Sequence, residues 1–140
     1  MKIIASISLV VMCFLAGCGE DPQEPPKERY SINELAEEPP ISQKDMDILL
    51  EITPLSLTVD MTDFNAVNAF VSAHGLTYRR YCFLKAKMPL AMGLVVGVKP
   101  AYPDFIPQQM RVSPEEESIV RNNFDKLQAA GKNLVENQSP

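Results

Sequence analysis

The sequence predicts an all-α protein, a small bundle of about four helices that follows an acidic, proline-rich linker. From residue 41 onward, apolar residues recur every three or four positions. Each such segment follows a residue of a type that caps helix N-termini. No alternation typical of a β-strand runs for more than four residues. Five of the 12 prolines lie between residues 22 and 40, and none between 41 and 53. We therefore expect the helical domain to occupy residues 41–140.

The first residues are organised like an export signal. Met1 and Lys2 give a positively charged start, and the run Ile3–Leu15 is almost wholly apolar. This run is too short to span a bilayer, because a membrane helix needs about 20 apolar residues. A short apolar run between a positive start and small residues is typical of a secretory signal peptide.

The residues Leu15-Ala16-Gly17-Cys18 resemble the lipobox of bacterial lipoproteins. The resemblance implies that residues 1–17 are a signal peptide, and that Cys18 carries a diacylglycerol thioether with fatty acyl chains such as palmitate. Two or more acyl chains hold a protein stably on a membrane. Gly19 replaces the aspartate that often retains such proteins at the inner membrane, which favours the outer membrane facing the periplasm. The resemblance covers only residues 1–18 of the 140 and identifies a processing route.

Residues 18–40 are predicted to be the lipidated cysteine and a disordered tether. From residue 19 onward this segment holds seven acidic and two basic residues but few apolar ones. Such a composition cannot offset the entropy of folding. An extended chain of this length reaches on the order of 60 Å, at about 3.1 Å per residue. Ser31 and Glu34 have capping-box spacing, which predicts a transient helical turn.

Two helices are predicted in the first half of the domain. Ser42 begins the first helix by capping it, and Pro54 should kink or end it, because proline lacks a backbone donor. Asp60 or Thr62 should cap the second helix. That helix should close at His74-Gly75-Leu76, where glycine supplies a left-handed residue.

Thr77 should cap a third helix, which Pro89 should kink or break. Residues 88–98 carry no charge, and eleven residues are too few for a membrane span, so they predict a central core helix. Gly93 and Gly97 form a GxxxG motif, which pairs helices in membranes. In this chain it more simply predicts the close approach of a neighbouring helix.

The fourth helix has the clearest local signal. Ser113 caps it, Pro114 takes its first position, and acidic residues oppose the helix dipole. Glu117 and Arg121 are spaced for an ion pair on its outer side. The connection before it, residues 99–112, should lay Tyr102, Phe105 and Ile106 on the bundle.

Composition excludes several kinds of function. The net charge is −5, so a broad nucleic-acid surface is not expected. Because the chain has a single histidine, a metal site that needs two or more histidines is excluded. The sequence also lacks a glycine-rich phosphate loop and the motifs GxSxG and HExxH. We therefore expect no catalytic residue, no metal and no cofactor. After processing and lipidation Cys82 is the only free thiol, and we expect it to be buried and inert.

One basic cluster remains, formed by Arg79, Arg80 and Lys85. It is either a solvated face or a patch for an anionic ligand, a lipid headgroup or an acidic partner. Lys85 lies nearer the predicted core stripe, where it needs an acidic partner, while Lys87 should extend to the surface.

The sequence thus predicts a lipid-anchored bacterial envelope protein, most simply a non-enzymatic module that binds another envelope protein or a ligand. A first alternative is a periplasmic carrier of a lipid or small apolar molecule, with its cavity beside the third helix. A second alternative is an enzyme that uses His74 or Cys82, although spacing indicates no residue to orient them.

Overall fold

The computed structural model describes residues 25–138, and within them it contains helices and no strand. The prediction of an all-α bundle is confirmed. Four helices are long and one is a single short turn. In chain order they are α1 (Ile32–Leu35), α2 (Gln43–Leu55), α3 (Phe64–Ala73), α4 (Tyr78–Val95) and α5 (Pro114–Gln138). The predicted signal peptide and Cys18 lie outside the described residues.

Helix α4 is the centre of the bundle. It packs against α1, α3 and α5, and α5 also packs along α2. Because α5 has 25 residues, it is about 37 Å long and reaches both α2 and α4. The most deeply buried apolar side chains come from four different helices, so one core joins them all: Met46, Val71, Phe83, Leu84 and Val120. None of the helices described is long and apolar enough to cross a membrane.

Three predicted helix starts are confirmed. The side chains of Ser42, Thr77 and Ser113 each accept a hydrogen bond from the backbone N–H three residues further on. Each bond satisfies one of the donors that the first turn of a helix leaves unpaired. These starts were predictable because a capping interaction involves only neighbours in the sequence.

The predicted cap of α3 is wrong. Neither Asp60 nor Thr62 begins this helix, because Asp63 accepts from the N–H groups of the second and third residues after it. Asp60 instead accepts hydrogen bonds from the N–H and hydroxyl groups of Thr62 in the preceding turn.

Both Gly75 and Gly97 end helices. Each has φ of +87°, the left-handed conformation that glycine adopts without strain. The N–H of Leu76 donates to the carbonyl of Val71, as predicted for the end of α3. The N–H of Val98 makes the equivalent bond to Gly93, so the GxxxG pattern closes a helix end and does not bring a second helix close.

Pro89 does not break α4, which continues unbroken for 18 residues. Pro89 is exposed, and at the surface water can hydrate the carbonyl that its missing donor leaves unpaired. Pro54 fits the prediction better, because α2 ends one residue after it. In the connection before α5, Tyr102 accepts a hydrogen bond from Val112. Phe105, however, is 74% exposed and does not lie on the bundle as predicted.

The prediction of a disordered tether is wrong for its C-terminal part. Ser31 and Glu34 form a complete capping box around α1, and Leu35 is buried in the core at 8% exposure. Tyr30, Ile32 and Ala36 pack against the same core. The folded domain therefore begins near residue 30 and not at residue 41, because apolar burial and contacts with α4 offset the ordering entropy.

Candidate functional site

Helix α4 carries two cations into the interior of the bundle. Arg80, Phe83 and Lys87 are spaced i, i+3 and i+7, so they share one helix face. The guanidinium carbon of Arg80 lies 4.6 Å from the centre of the Phe83 ring, and the ammonium of Lys87 lies 5.2 Å from it. Both distances are within the range of cation–π attraction. The three side chains form a buried stack, which we call the α4 stack.

Arg80 binds the segment that leads into α2. Its Nη2 and Nε lie 2.6 and 3.1 Å from the two carboxylate oxygens of Asp45. The same guanidinium donates to the carbonyls of Pro39 and Pro40. Burial alone would raise the pKa of Asp45, but hydrogen bonds from Arg80 and Ser42 outweigh it and hold the pKa below its usual value. Arg80 is thus a structural residue that fixes the entry to α2.

Lys87 binds the start of α5. Its ammonium lies 2.7 Å from Oε1 of Glu116 and 2.8 Å from the carbonyl of Gln109. Glu116 also accepts from the backbone N–H groups of Ile41 and Ser113. Burial raises the pKa of Glu116, but these donors together lower it below the usual glutamate value. One buried carboxylate therefore joins the starts of α2 and α5 to the middle of α4.

Arg79 holds the acidic segment that precedes α2. Its guanidinium donates to the carbonyl of Glu34 and lies 2.7 Å from the carboxylate of Glu37. Its Nε lies 3.3 Å from Glu38, within ion-pair distance but outside hydrogen-bond geometry. The hydrogen bond to Glu37, with the charge of Glu38, raises the pKa of Arg79 despite partial burial.

The predicted basic patch does not exist as one free surface. Arg79 and Arg80 are occupied by the acidic segment and carbonyls of the chain itself, while Lys85 is exposed and lies apart from the α4 stack. The predicted roles of Lys85 and Lys87 are reversed, since Lys87 is 1% exposed. The seven-residue spacing of Arg80 and Lys87 was the signal that could have identified the buried lysine.

His74 and Cys82 do not form a reactive pair in the part of the chain described. Nδ1 of His74 lies 3.0 Å from a carboxylate oxygen of Glu51, and no hydrogen bond joins His74 to Cys82. Burial raises the pKa of the half-buried Cys82 thiol, and Tyr78 and Lys85 offset this only in part. No group of three or more potential metal ligands comes together in the described residues.

An apolar groove of about 380 Å³ opens between α2, α4 and α5, and we call it the α2–α4–α5 groove. Its lining is mostly apolar, and Lys85 is the one charged residue among those described that line it. The lining residues are Leu49, Thr53, Tyr81, Leu84, Lys85, Met88, Pro89, Met92, Leu127 and Gly131. The cavity predicted beside the third helix corresponds to this groove along Met88 and Met92, but neither glycine of the GxxxG motif lines it.

The described residues thus form a small helical bundle with two buried ion pairs on one helix and an open apolar groove beside it. No family model, curated protein or solved structure matches this chain. Two features bear on function: the groove and the sequence before the bundle.

Proposed function

We propose that the protein is a lipid-anchored, non-enzymatic binding module of the bacterial envelope. In this proposal acyl chains on Cys18 hold it on the membrane, and the α2–α4–α5 groove is its binding site. The observation that carries the proposal is the groove itself. Its volume and its largely apolar lining with a few polar groups are typical of ligand sites, which span about 300–1,000 Å³.

The chemistry of the groove supports binding over catalysis. Lys85, Tyr81 and Thr53 supply its polar groups, and the hydroxyl of Thr53 already donates to the carbonyl of Leu49 at 2.5 Å. Neither His74 nor Cys82 lines the groove, so the enzyme alternative gains no support from it. The buried ion pairs of α4 hold the bundle together and are turned away from bulk solvent.

The anchor is proposed from the lipobox resemblance at residues 15–18. Because the chain packs on α4 from about residue 30, only some 12 residues separate Cys18 from the bundle. At about 3.1 Å per extended residue the domain then lies within roughly 37 Å of the bilayer. The outer membrane facing the periplasm is the favoured location, and a ligand or envelope partner presented near the membrane is the expected occupant.

The anchor is tested by growing cells with an alkyne analogue of palmitate. We expect the protein to incorporate the label and to fractionate with membranes. A Cys18→Ser variant should do neither, and a Cys82→Ser variant, which keeps the lipobox, should do both. A labelled Cys18→Ser protein, or an unlabelled native protein in the aqueous fraction, would contradict the anchor.

The groove is tested with a photoactivatable long-chain alcohol added to the full chain in phosphatidylcholine vesicles. Peptides that contain Met88 and Met92 should be labelled. Gly131→Leu should reduce that labelling, because no atom lies within 4 Å of a Cβ added at Gly131 and the new side chain can fill the groove. Asn133→Leu adds the same side chain outside the groove and should leave labelling unchanged. Equal labelling of both variants would contradict the site.

A further inference from the structure

We infer that the α2–α4–α5 groove binds a single-chain amphiphile with an anionic headgroup, either a fatty acid or a lysophospholipid. The headgroup lies at Lys85 and Tyr81, and the alkyl chain runs along Met88 and Met92. The inference rests on the proposed function and names the class of ligand that the groove takes.

Lys85 gives the groove a positive charge. Lys85 lines the groove, is exposed, and makes no ion pair or hydrogen bond with any described residue. The other cations of α4 differ, because Arg79, Arg80 and Lys87 are each paired with a carboxylate of the chain. An unpaired ammonium at an apolar groove binds a carboxylate or phosphate more strongly than a neutral headgroup, and it repels a cationic one.

Tyr81 supplies a second donor. It lies one helical turn before Lys85, so the two side chains are neighbours on the surface of α4. Its ring is half-buried, and its hydroxyl makes no hydrogen bond within the described residues. Burial raises the pKa of Tyr81, so the phenol stays protonated and donates at neutral pH. Ammonium and phenol together can bind two oxygens of one headgroup.

The groove is polar at one end of α4 and apolar at the other. Tyr81 and Lys85 lie toward the helix N-terminus, and Met88 and Met92 follow toward its C-terminus. From Tyr81 to Met92 the helix rises about 16 Å. Methionine side chains are flexible and adapt to irregular apolar shapes. A linear amphiphile has the same arrangement as this wall, with a polar end followed by an apolar stretch. Each methylene group that the ligand buries contributes about 0.8 kcal/mol to binding.

A partner helix fits the groove less well. The described lining offers one charged group, Lys85, beside an otherwise mostly apolar wall, which matches a single anionic headgroup at the end of one chain. Recognition of a helix in a groove uses apolar anchors spread over two or more turns. An alkyl chain is thinner and needs only a continuous apolar path.

The test uses the full chain in phosphatidylcholine vesicles with photoactivatable dodecanoate, and labelled peptides are identified by mass spectrometry. We expect labelling of the peptide with Met88 and Met92, with dodecanoate or lysophosphatidylglycerol competing and dodecyltrimethylammonium not competing. Lys85→Ala should reduce labelling about fivefold and Lys85→Glu should reduce it further. Lys44→Ala, which removes an exposed lysine outside the groove, should have no effect.

The outcomes separate this inference from the proposed function. If the alcohol probe labels the groove as strongly as dodecanoate, and Lys85→Ala changes nothing, the anionic preference is wrong while the binding site stands. If no probe labels the groove, both are wrong. In cell membranes, photo-crosslinking of groove residues to another protein, at a yield that added dodecanoate does not lower, would also overturn the inference. Competition by lysophosphatidylglycerol at much lower concentration than by dodecanoate would make the ligand a lysophospholipid and not a free fatty acid.

Discussion

The ammonium of Lys87 lies 2.7 Å from a carboxylate oxygen of Glu116, and the two side chains are 1% and 3% exposed. Glu116 also accepts from the N–H of Ser113, the residue that caps α5, and from the N–H of Ile41. A residue in the first turn of one helix therefore fixes the start of another helix 75 positions earlier in the chain. This relationship makes the pair a sensitive point for stability.

Replacing Lys87 with methionine should destabilise the protein by about 3–5 kcal/mol, because it leaves the Glu116 carboxylate buried without its counter-charge. Adding Glu116→Gln should recover part of that loss because it removes the buried charge, although the one amide oxygen can replace only one of the two acceptors used by Ile41 and Ser113. Urea unfolding followed by circular dichroism measures both values. Additive losses in the double variant would contradict a coupled pair.

Stability should fall in acid, in part because of Asp45 and Glu116. Their pKa values in the folded protein lie below the ordinary values of 3.8 and 4.5. A depressed folded pKa contributes stability that is complete above the unfolded pKa and is lost as pH falls through the folded pKa. The loss should therefore begin below about pH 4.5 and grow as these two carboxylates are protonated.

Thermal melts across this range provide the measurement. Glu116→Gln should have a lower melting temperature at neutral pH and a flatter decline in acid than the native protein. Glu115→Gln, which changes an exposed carboxylate one position earlier, is the matched control and should keep the native slope. Parallel slopes for Glu116→Gln and the native chain would show that the Lys87 pair does not contribute.

The two neighbouring arginines of α4 should differ in their energetic contributions. Arg80→Ala should cost about 3–5 kcal/mol, because it leaves Asp45 buried and unpaired. Arg79→Ala removes contacts with partly exposed partners and should cost about 0–1 kcal/mol. It should instead speed amide hydrogen exchange in α1, which Arg79 holds through the Glu34 carbonyl. Unchanged exchange in α1 would show that its apolar contacts with the core keep it in place without Arg79.

Replacing glycine with alanine at two positions should have opposite effects on the stability of the protein. Gly131 lies in the middle of α5 with open space around it, so Gly131→Ala should stabilise the protein by up to about 1 kcal/mol through helix propensity. Gly75 has φ of +87°, and Gly75→Ala should destabilise the protein because a Cβ is strained there. Thermal melts of the two variants check the signs, and shifts in the same direction would contradict the assignment.

Core truncations should show which apolar residues lie in the core and which line the groove. Phe83→Ala should cost about 3–5 kcal/mol, because Phe83 is fully buried between two cations. Leu49→Ala and Leu127→Ala should cost less than about 2 kcal/mol, since both residues are partly buried and line the open groove. Losses at Leu49 as large as those at Phe83 would mean that the groove is closed in solution.

Local features of this fold were predictable from the sequence. Helix content, the caps at Ser42, Thr77 and Ser113, and the glycine that ends α3 all depend on residues within one turn of each other. Asp63 was missed because three possible caps, Asp60, Thr62 and Asp63, lie within four residues. Distinguishing among them requires the backbone path of the turn, which the local pattern does not determine.

What the sequence determined by itself is the all-helical class, the placement of most helix boundaries and the lipobox resemblance that motivates a membrane anchor. The tertiary structure alone decided that residues 30–40 belong to the folded domain, that Lys87 is buried while Lys85 is exposed, and that a groove opens beside Met88 and Met92. The physical reason is distance along the chain. A cap forms among neighbours in the sequence. A buried lysine, in contrast, is stable only where a carboxylate from a remote segment reaches it. A groove exists only where three helices do not pack completely against one another.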